Sequence, residues 1–370
     1  MTSITYDLAT PADGAALRRL LRENPMPGSI SLSFEREPCY FHASALEGPF
    51  HQTLVARESD TGNIVGLASR SVRPMFLNGL AQSVGYLSQL RIHRKYGKSL
   101  FLARGLTRGF EFFQKLHADR QAPFYLMSII ADNAPARRLL ASGFPGFPRL
   151  HEYARLFTYA IYPVRPRRPL PLPRSLRLVR GDDNRVHAIV DCLERNGARK
   201  QFAPHWTADS LFTADLTPAA FFLALDGKRV VGCLACWDQS RFKQTVVRGY
   251  SGPIARWRPL INALSKFGGW PTLPNPHTPL HYCYASHLAI DDDDPQVFAA
   301  LLRALYNHAA AQNYSYFMIG LSEANPLCEI VKTYRPITYI GQLYLVAWED
   351  GQEAVTHVDH RIPAPEIAVL

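Results

Sequence analysis

Residues 163 to 174 read PVRPRRPLPLPR, with five prolines in twelve positions. Proline fixes φ and carries no amide hydrogen, so this stretch can neither continue a helix nor sit in a central strand. It reads as a semi-rigid linker, and it divides a chain of 370 residues near its middle. A chain of that length exceeds what one hydrophobic core usually organises, so two domains of roughly 150 to 200 residues are expected.

The two halves repeat one pattern. Before the linker, ITYDL reads as a short strand, followed by Thr10 as N-cap, Pro11 at the first helical position and a helix carrying Leu17, Leu20 and Leu21. After it, LRLVRGDDNRVHAIVDCL runs again through strand, polar cap and helix. TLVARESDTGNIVGLASR and FFLALDGKRVVGCLACW are each two strands joined by a glycine-bearing turn, with Gly66 matching Gly232 at an offset of 166. Leu90-Arg91-Ile92 matches Leu288-Ala289-Ile290 at an offset of 198, and Asn133 matches Asn325 at 192. The second half therefore carries about thirty extra residues near 239 to 280, rich in aromatic and basic side chains. Duplication of a mixed α/β unit is the economical explanation. The expected fold class is α/β (mixed α+β), with a domain at 1–162, the linker at 163–174, a second domain at 175–350 and a tail at 351–370.

Composition narrows the function classes. The net charge of +10 is uneven: residues 1–162 carry +7, the linker adds four arginines, and residues 175–370 carry −1. An anionic partner is expected on the first half. No apolar run reaches the ~18 residues of a membrane span, and the first residues lack the blocks of a signal peptide. The expectation is a cytoplasmic protein without a membrane partner. The six cysteines are scattered, which argues for reduced thiols. Cys233 and Cys236 form a CxxC on a strand, where odd spacing sends the side chains to opposite faces, so packing is expected rather than a metal site. His357 and His360, in proline-rich surroundings, are likewise not expected to bind metal.

The turn after Leu90-Arg91-Ile92 draws attention. Gly97-Lys98-Ser99 between a strand and a helix suggests a P-loop, but that motif needs a further glycine five residues upstream, and position 92 is Ile. A simpler anion site remains: Gly97 permits close backbone approach, the next helix offers unpaired N–H groups, and Arg91, His93, Arg94, Lys95 and Lys98 surround the point.

Here the sequence resembles the GNAT acetyltransferase superfamily. The strand end Leu90-Arg91-Ile92, the turn Arg94-Lys95-Tyr96-Gly97-Lys98-Ser99, and the later Asn133, Ala136, Leu139 and Gly143-Phe144 carry the likeness. The resemblance implies two tandem GNAT-like domains, each a twisted mixed sheet flanked by helices. It also implies a cofactor, acetyl-coenzyme A or another acyl-coenzyme A, bound in the first domain by Leu90, Arg91, Ile92, Arg94, Lys95, Tyr96, Gly97, Lys98, Ser99, Asn133 and Ala136. Two features depart from the family. Only His93 separates Ile92 from Arg94, leaving a second register in which Tyr96 opens the motif. The position seven after the asparagine, commonly a tyrosine acid, is Leu140. In the second half the basic turn is replaced by Asp291 to Asp294, which would repel a pyrophosphate and instead suits a helix cap, so that half reads as a degenerate copy.

Acyl transfer to an amine needs a neutral amine, a polarised carbonyl and a proton for the thiolate. The strand SVGYLSQLRI carries no carboxylate, so the base is sought in Glu35, Glu37 or Asp132, or in a water held by Tyr86, Ser88 and Gln89. Tyr96 and Tyr125 are candidate acids. The catalytic set singled out is Tyr86, Gln89, Glu37 and Tyr125. The implied function is acyl-coenzyme A-dependent N-acyl transfer, with acetyl as the expected group and a small-molecule or peptide amine as acceptor. The alternative is a non-catalytic cofactor sensor. No nucleic-acid motif accompanies the basic charge, and no nucleic-acid partner is expected.

Overall fold

A computed structural model describes residues 3–96, 100–140, 143, 146–173, 175–212, 215–268 and 272–370. The first half runs β1 (Ile4–Leu8), α1 (Gly14–Glu23), β2 (Ile30–Glu35), α2 (Tyr40–Ser44), β3 (Phe50–Glu58), β4 (Ile64–Leu77), β5 (Leu80–Ile92), α3 (Leu100–His117), β6 (Tyr125–Ile130), α4 (Ala134–Leu140) and β7 (Arg149–Ile161). The second runs β8 (Leu176–Arg180), α5 (Val186–Gly197), α6 (Ala208–Leu211), β9 (Phe221–Asp226), β10 (Arg229–Trp237), β11 (Gln244–Tyr250), α7 (Gly252–Gly268), β12 (Tyr282–Ile290), α8 (Pro295–Ala311), β13 (Tyr316–Ser322), α9 (Cys328–Lys332), β14 (Ile337–Ala347) and α10 (Gln352–Thr356).

Strand alternation decides which side chains meet which helix. Leu54 packs with Phe110 and Phe113 of α3, whereas its neighbour Val55 packs with Leu17 and Leu21 of α1 on the opposite face. The second half repeats the arrangement. Phe222 and Ala224 face Leu301 and Leu305 of α8, while Leu223 and Leu225 face Ile189 and Cys192 of α5. The capping residues act as their types dictate. Thr10 and Asp13 form a reciprocal box ahead of α1, and the Asp294 carboxylate accepts from the amides of Gln296 at 2.7 Å and Val297 at 3.2 Å ahead of α8.

The mixed sheets flanked by helices join into one sheet of twelve strands, in the order β1-β3-β4-β5-β6-β14-β7-β13-β12-β10-β9-β8. This order reads the same from both ends once β7 is matched with β14. Each half's last strand has crossed over: β14 pairs with β6 of the first half, and β7 with β13 of the second. The extra residues of the second half form β11, α7 and a loop. β11 pairs with β2 in a separate two-stranded ribbon, tied by Arg248 to Glu35 and by the Glu37 amide to the Gln244 side chain at 3.0 Å.

Candidate functional site

In both halves the sheet parts at equivalent points. β5 and β6 pair only through Gly85 with Tyr125 and Tyr86 with Leu126 before diverging. β12 and β13 pair only from Tyr282–Tyr316 to Tyr284–Met318. Just beyond, one strand of each pair carries an extra residue. Ser69 faces Ser88 and Leu67 faces Arg91, so Gln89 and Leu90 together oppose one residue of β4, and Gln89 takes a φ of 60°. His287 occupies the same position in β12 with a φ of 53°. Such a bulge bends the strand and turns backbone groups out of the ladder.

The two wedges have different contents. The first opens into a cavity of about 500 Å³. Its walls are the β5 segment from Tyr86 to Ile92, the β6 segment from Met127 to Ile130, and Leu106, Phe110 and Phe113 of α3. The cavity runs on beneath α3 to Tyr6 and Leu54, passing Gly105 and Gly109. In the second wedge lies the chain's own tail. Gln201 and the tail exchange backbone bonds at Ile362 and Ala364, and the Glu366 carboxylate accepts from the His287 amide at 2.7 Å and the Ala368 amide at 3.1 Å. Ile367 packs so closely on Gly320 that a Cβ there would lie 2.2 Å from it. Only about 80 Å³ of space is left. Beyond this point Ile367 and Leu370 reach the wall of the first cavity.

Of the residues singled out from sequence, Tyr86, Gln89, Leu90, Arg91, Ile92, Tyr96, Asn133 and Ala136 line the first cavity. Asn133 caps α4, its Oδ1 accepting from the Ala136 amide at 3.2 Å. Arg94 and Lys95 lie exposed in the turn after β5. Gly97, Lys98 and Ser99 lie outside the described residues, as does Phe144. Two candidates sit elsewhere. Glu37 is taken up by Arg18 and Arg22 on the rim of α1. Tyr125 is fully buried behind Gly85, its hydroxyl between Arg70 Nη1 at 3.2 Å and His117 Nδ1 at 3.1 Å.

The electrostatics of the wall follow from burial. Tyr86 is 8% exposed; burial, and then the nearby Glu47 charge, push its phenol well above the ordinary value, so it stays protonated. Ser88 donates to Glu47 Oε2 at 3.1 Å. Burial pulls the Glu47 carboxyl upward, but the Arg36 guanidinium and His51 outweigh that and hold it at about 2. Tyr96 donates to Glu58, a bond that raises the phenol and lowers the carboxyl to about 2. No carboxylate or imidazole side chain lines the cavity among the described residues.

Sequence reasoning missed Glu47, Met26, Phe34 and the tail. Glu47 sits on a short 3₁₀ turn with no motif around it. The tail had only its prolines as a signal, and those mark extended chain without saying where it lies. At the second half's counterpart of the basic turn, Asp291 binds Arg195 and Arg229 at 2.8 and 2.9 Å, and Asp293 binds Lys200 at 2.6 Å.

The architecture has counterparts among solved structures. A GCN5-related N-acetyltransferase from Sphaerobacter thermophilus superposes with a TM-score of 0.56 at 12% identity, over 92% of this chain and 95% of that one. Saccharomyces cerevisiae N-myristoyltransferase with bound myristoyl-CoA superposes with a TM-score of 0.58 at 12% identity, over 94% and 83%. The chain has the GNAT fold. No family model and no curated protein matches the sequence, and at these identities the likeness concerns architecture alone. Within the GNAT fold, the strand parting and the bulge at Gln89 are the features around which the cavity is built.

Proposed function

We propose that the protein is an acyl-coenzyme A-dependent N-acyltransferase whose thioester lies in the wedge between β5 and β6. One observation carries the reading: the parted strands and the Gln89 bulge open onto an apolar cavity of about 500 Å³, while the matching wedge of the second half is filled by the tail. Past Tyr86, the β5 edge that faces β6 has no strand partner, so its amides are free to polarise a carbonyl held there. Tyr86, kept protonated by its burial, is the proposed donor to the departing thiolate. The basic turn from Arg91 to Ser99 is the proposed seat of the pyrophosphate. The duplicated-domain origin and the boundaries at 163–174 and 350 belong to the same proposal, supported by the mirrored strand order.

The acyl group follows from the cavity's shape. Acetyl needs only the wedge itself, whereas the space continues under α3 between Tyr6, Leu54, Phe110 and Phe113. Such a pocket suits a longer, apolar acyl chain. This revises the acetyl expectation.

A second reading, a non-catalytic acyl-coenzyme A sensor, rests on the absence of a carboxylate or imidazole side chain in the described wall. Glu47 reaches the wall through Ser88, but at a pKa of about 2 it is a weak base. Calorimetric titration with acetyl- and long-chain acyl-coenzyme A, on the native chain and on Met127→Trp, tests both readings. Saturable binding lost in the variant is expected. No saturable binding by the native chain removes both, and binding without turnover on a panel of amines and peptides leaves the sensor.

A further inference from the structure

Helix α7 is built inside out. A surface helix ordinarily turns apolar side chains toward the protein and polar ones toward water. In α7 the inward side is polar: Arg258 Nε donates to the Leu273 carbonyl at 3.3 Å and its guanidinium bonds the Asn275 side chain, Asn262 exchanges two bonds with the Leu273 backbone at 2.9 and 2.7 Å, and Ser265 is buried. The outward side is apolar. Trp257, Leu260 and Leu264, spaced three and four apart and so on one face, are 52%, 50% and 51% exposed. Exposed apolar groups of this size on one stripe mark a contact surface.

The charge around the helix indicates the partner. From residue 239 to residue 290 the chain has six lysines and arginines and no aspartate or glutamate. Arg256, exposed beside the stripe, holds its guanidinium 5.8 Å from the Trp257 ring centre. Tryptophan and leucine on one face, flanked by cations without carboxylates, is the pattern of a helix lying in the interface of an anionic bilayer. A protein partner would need no such one-sided charge.

We propose that α7 docks the protein on an anionic membrane surface through Trp257, Leu260 and Leu264. Length excludes crossing: no described helix is long and apolar enough to span a bilayer. The expectation of no membrane partner rested on run length alone, which excludes spanning but not lying on the surface. Docking there also places the cavity near the bilayer. Ser251, at the head of α7, donates from its amide to the Ser29 carbonyl and from its hydroxyl to the Gly28 carbonyl, each at 3.0 Å. The segment so fastened carries Met26 and Phe34 of the cavity wall. The inference itself does not depend on acyl transfer.

Co-sedimentation of the full chain with vesicles of equimolar phosphatidylcholine and phosphatidylglycerol tests it, beside vesicles of phosphatidylcholine alone. Binding to the anionic vesicles is expected, weakening as salt rises. In the triple variant Trp257→Ser/Leu260→Ser/Leu264→Ser the partition coefficient should fall on the order of tenfold or more. Arg256→Glu should lower anionic binding while leaving the fold, checked by circular dichroism, as it is. No sedimentation of the native chain, or equal sedimentation of the triple variant, overturns the proposal. So does a native dimer in analytical ultracentrifugation that the triple variant abolishes, since the stripe would then serve a second copy of the chain.

Discussion

A methyl group on Gly85 would lie 2.2 Å from the Tyr125 ring, which packs flat against the strand at the last point where β5 and β6 still pair. Gly85→Ala must therefore push a fully buried ring aside. The expected loss is about 1–3 kcal/mol of stability, read from urea unfolding, with acyl-coenzyme A affinity reduced because the parting of the strands starts there. Glu47 makes a different demand. It is buried against Arg36, and Glu47→Gln leaves that guanidinium without its counter-charge, at an expected cost of about 3 kcal/mol. The pH dependence has a definite sign. The native carboxyl titrates near 2 and an unfolded one near 4.5, so the unfolded chain binds the proton first as pH falls. Stability from Glu47 is thus full above about 4.5 and lost on the way to 2, amounting to about 3 kcal/mol. The native protein should show this acid limb in pH-dependent urea unfolding, and Glu47→Gln should flatten it.

At the scale of elements, α3 sets the depth of the cavity. Gly105 and Gly109 stand one turn apart on its inner side, and a Cβ on Gly109 would meet Leu54 and Tyr6 at 3.8 Å, ordinary contact distance. A larger side chain there fills the far end of the cavity and raises helix propensity by about 1 kcal/mol, so the helix is retained. Gly109→Leu should weaken long-chain acyl-coenzyme A binding on the order of tenfold while leaving acetyl-coenzyme A within about twofold, measured by calorimetry. Equal effects on both would place the acyl chain outside this cavity. Most elements were legible in the sequence because their signals are local. Alternation marked β1, β3 and β4, the Thr10-Pro11-Asp13 cap marked the entry to α1, and a helix was expected just after Asn133. The bulge at Gln89 was not. It depends on where β4 and β5 come into register, and no residue type announces it.

Over the whole molecule, the least legible feature was the exchange of β7 and β14. Both are apolar, alternating strands at the end of a half, and alternation says which face is buried without naming the neighbour. The tail was equally silent, since its placement in the second wedge is decided by contacts with Gln201, His287 and Gly320, remote in sequence. The exchange has a consequence for unfolding. β14 sits between β6 and β7, and β7 between β14 and β13, so neither half has a complete sheet of its own. Separating the halves would break β14–β6 and β7–β13 and expose the core lined by Leu343, Leu345, Leu126 and Leu156. The linker, by contrast, carries little of this load: residues 164 to 171 are exposed, held by Arg167 and Arg168 backbone contacts to α8. Proteolytic cleavage within 164–170 should therefore leave two fragments that co-elute in size-exclusion chromatography and melt in a single calorimetric transition. Fragments that part in native buffer, or two transitions in the uncut chain, would show that each half completes its fold without the other's last strand.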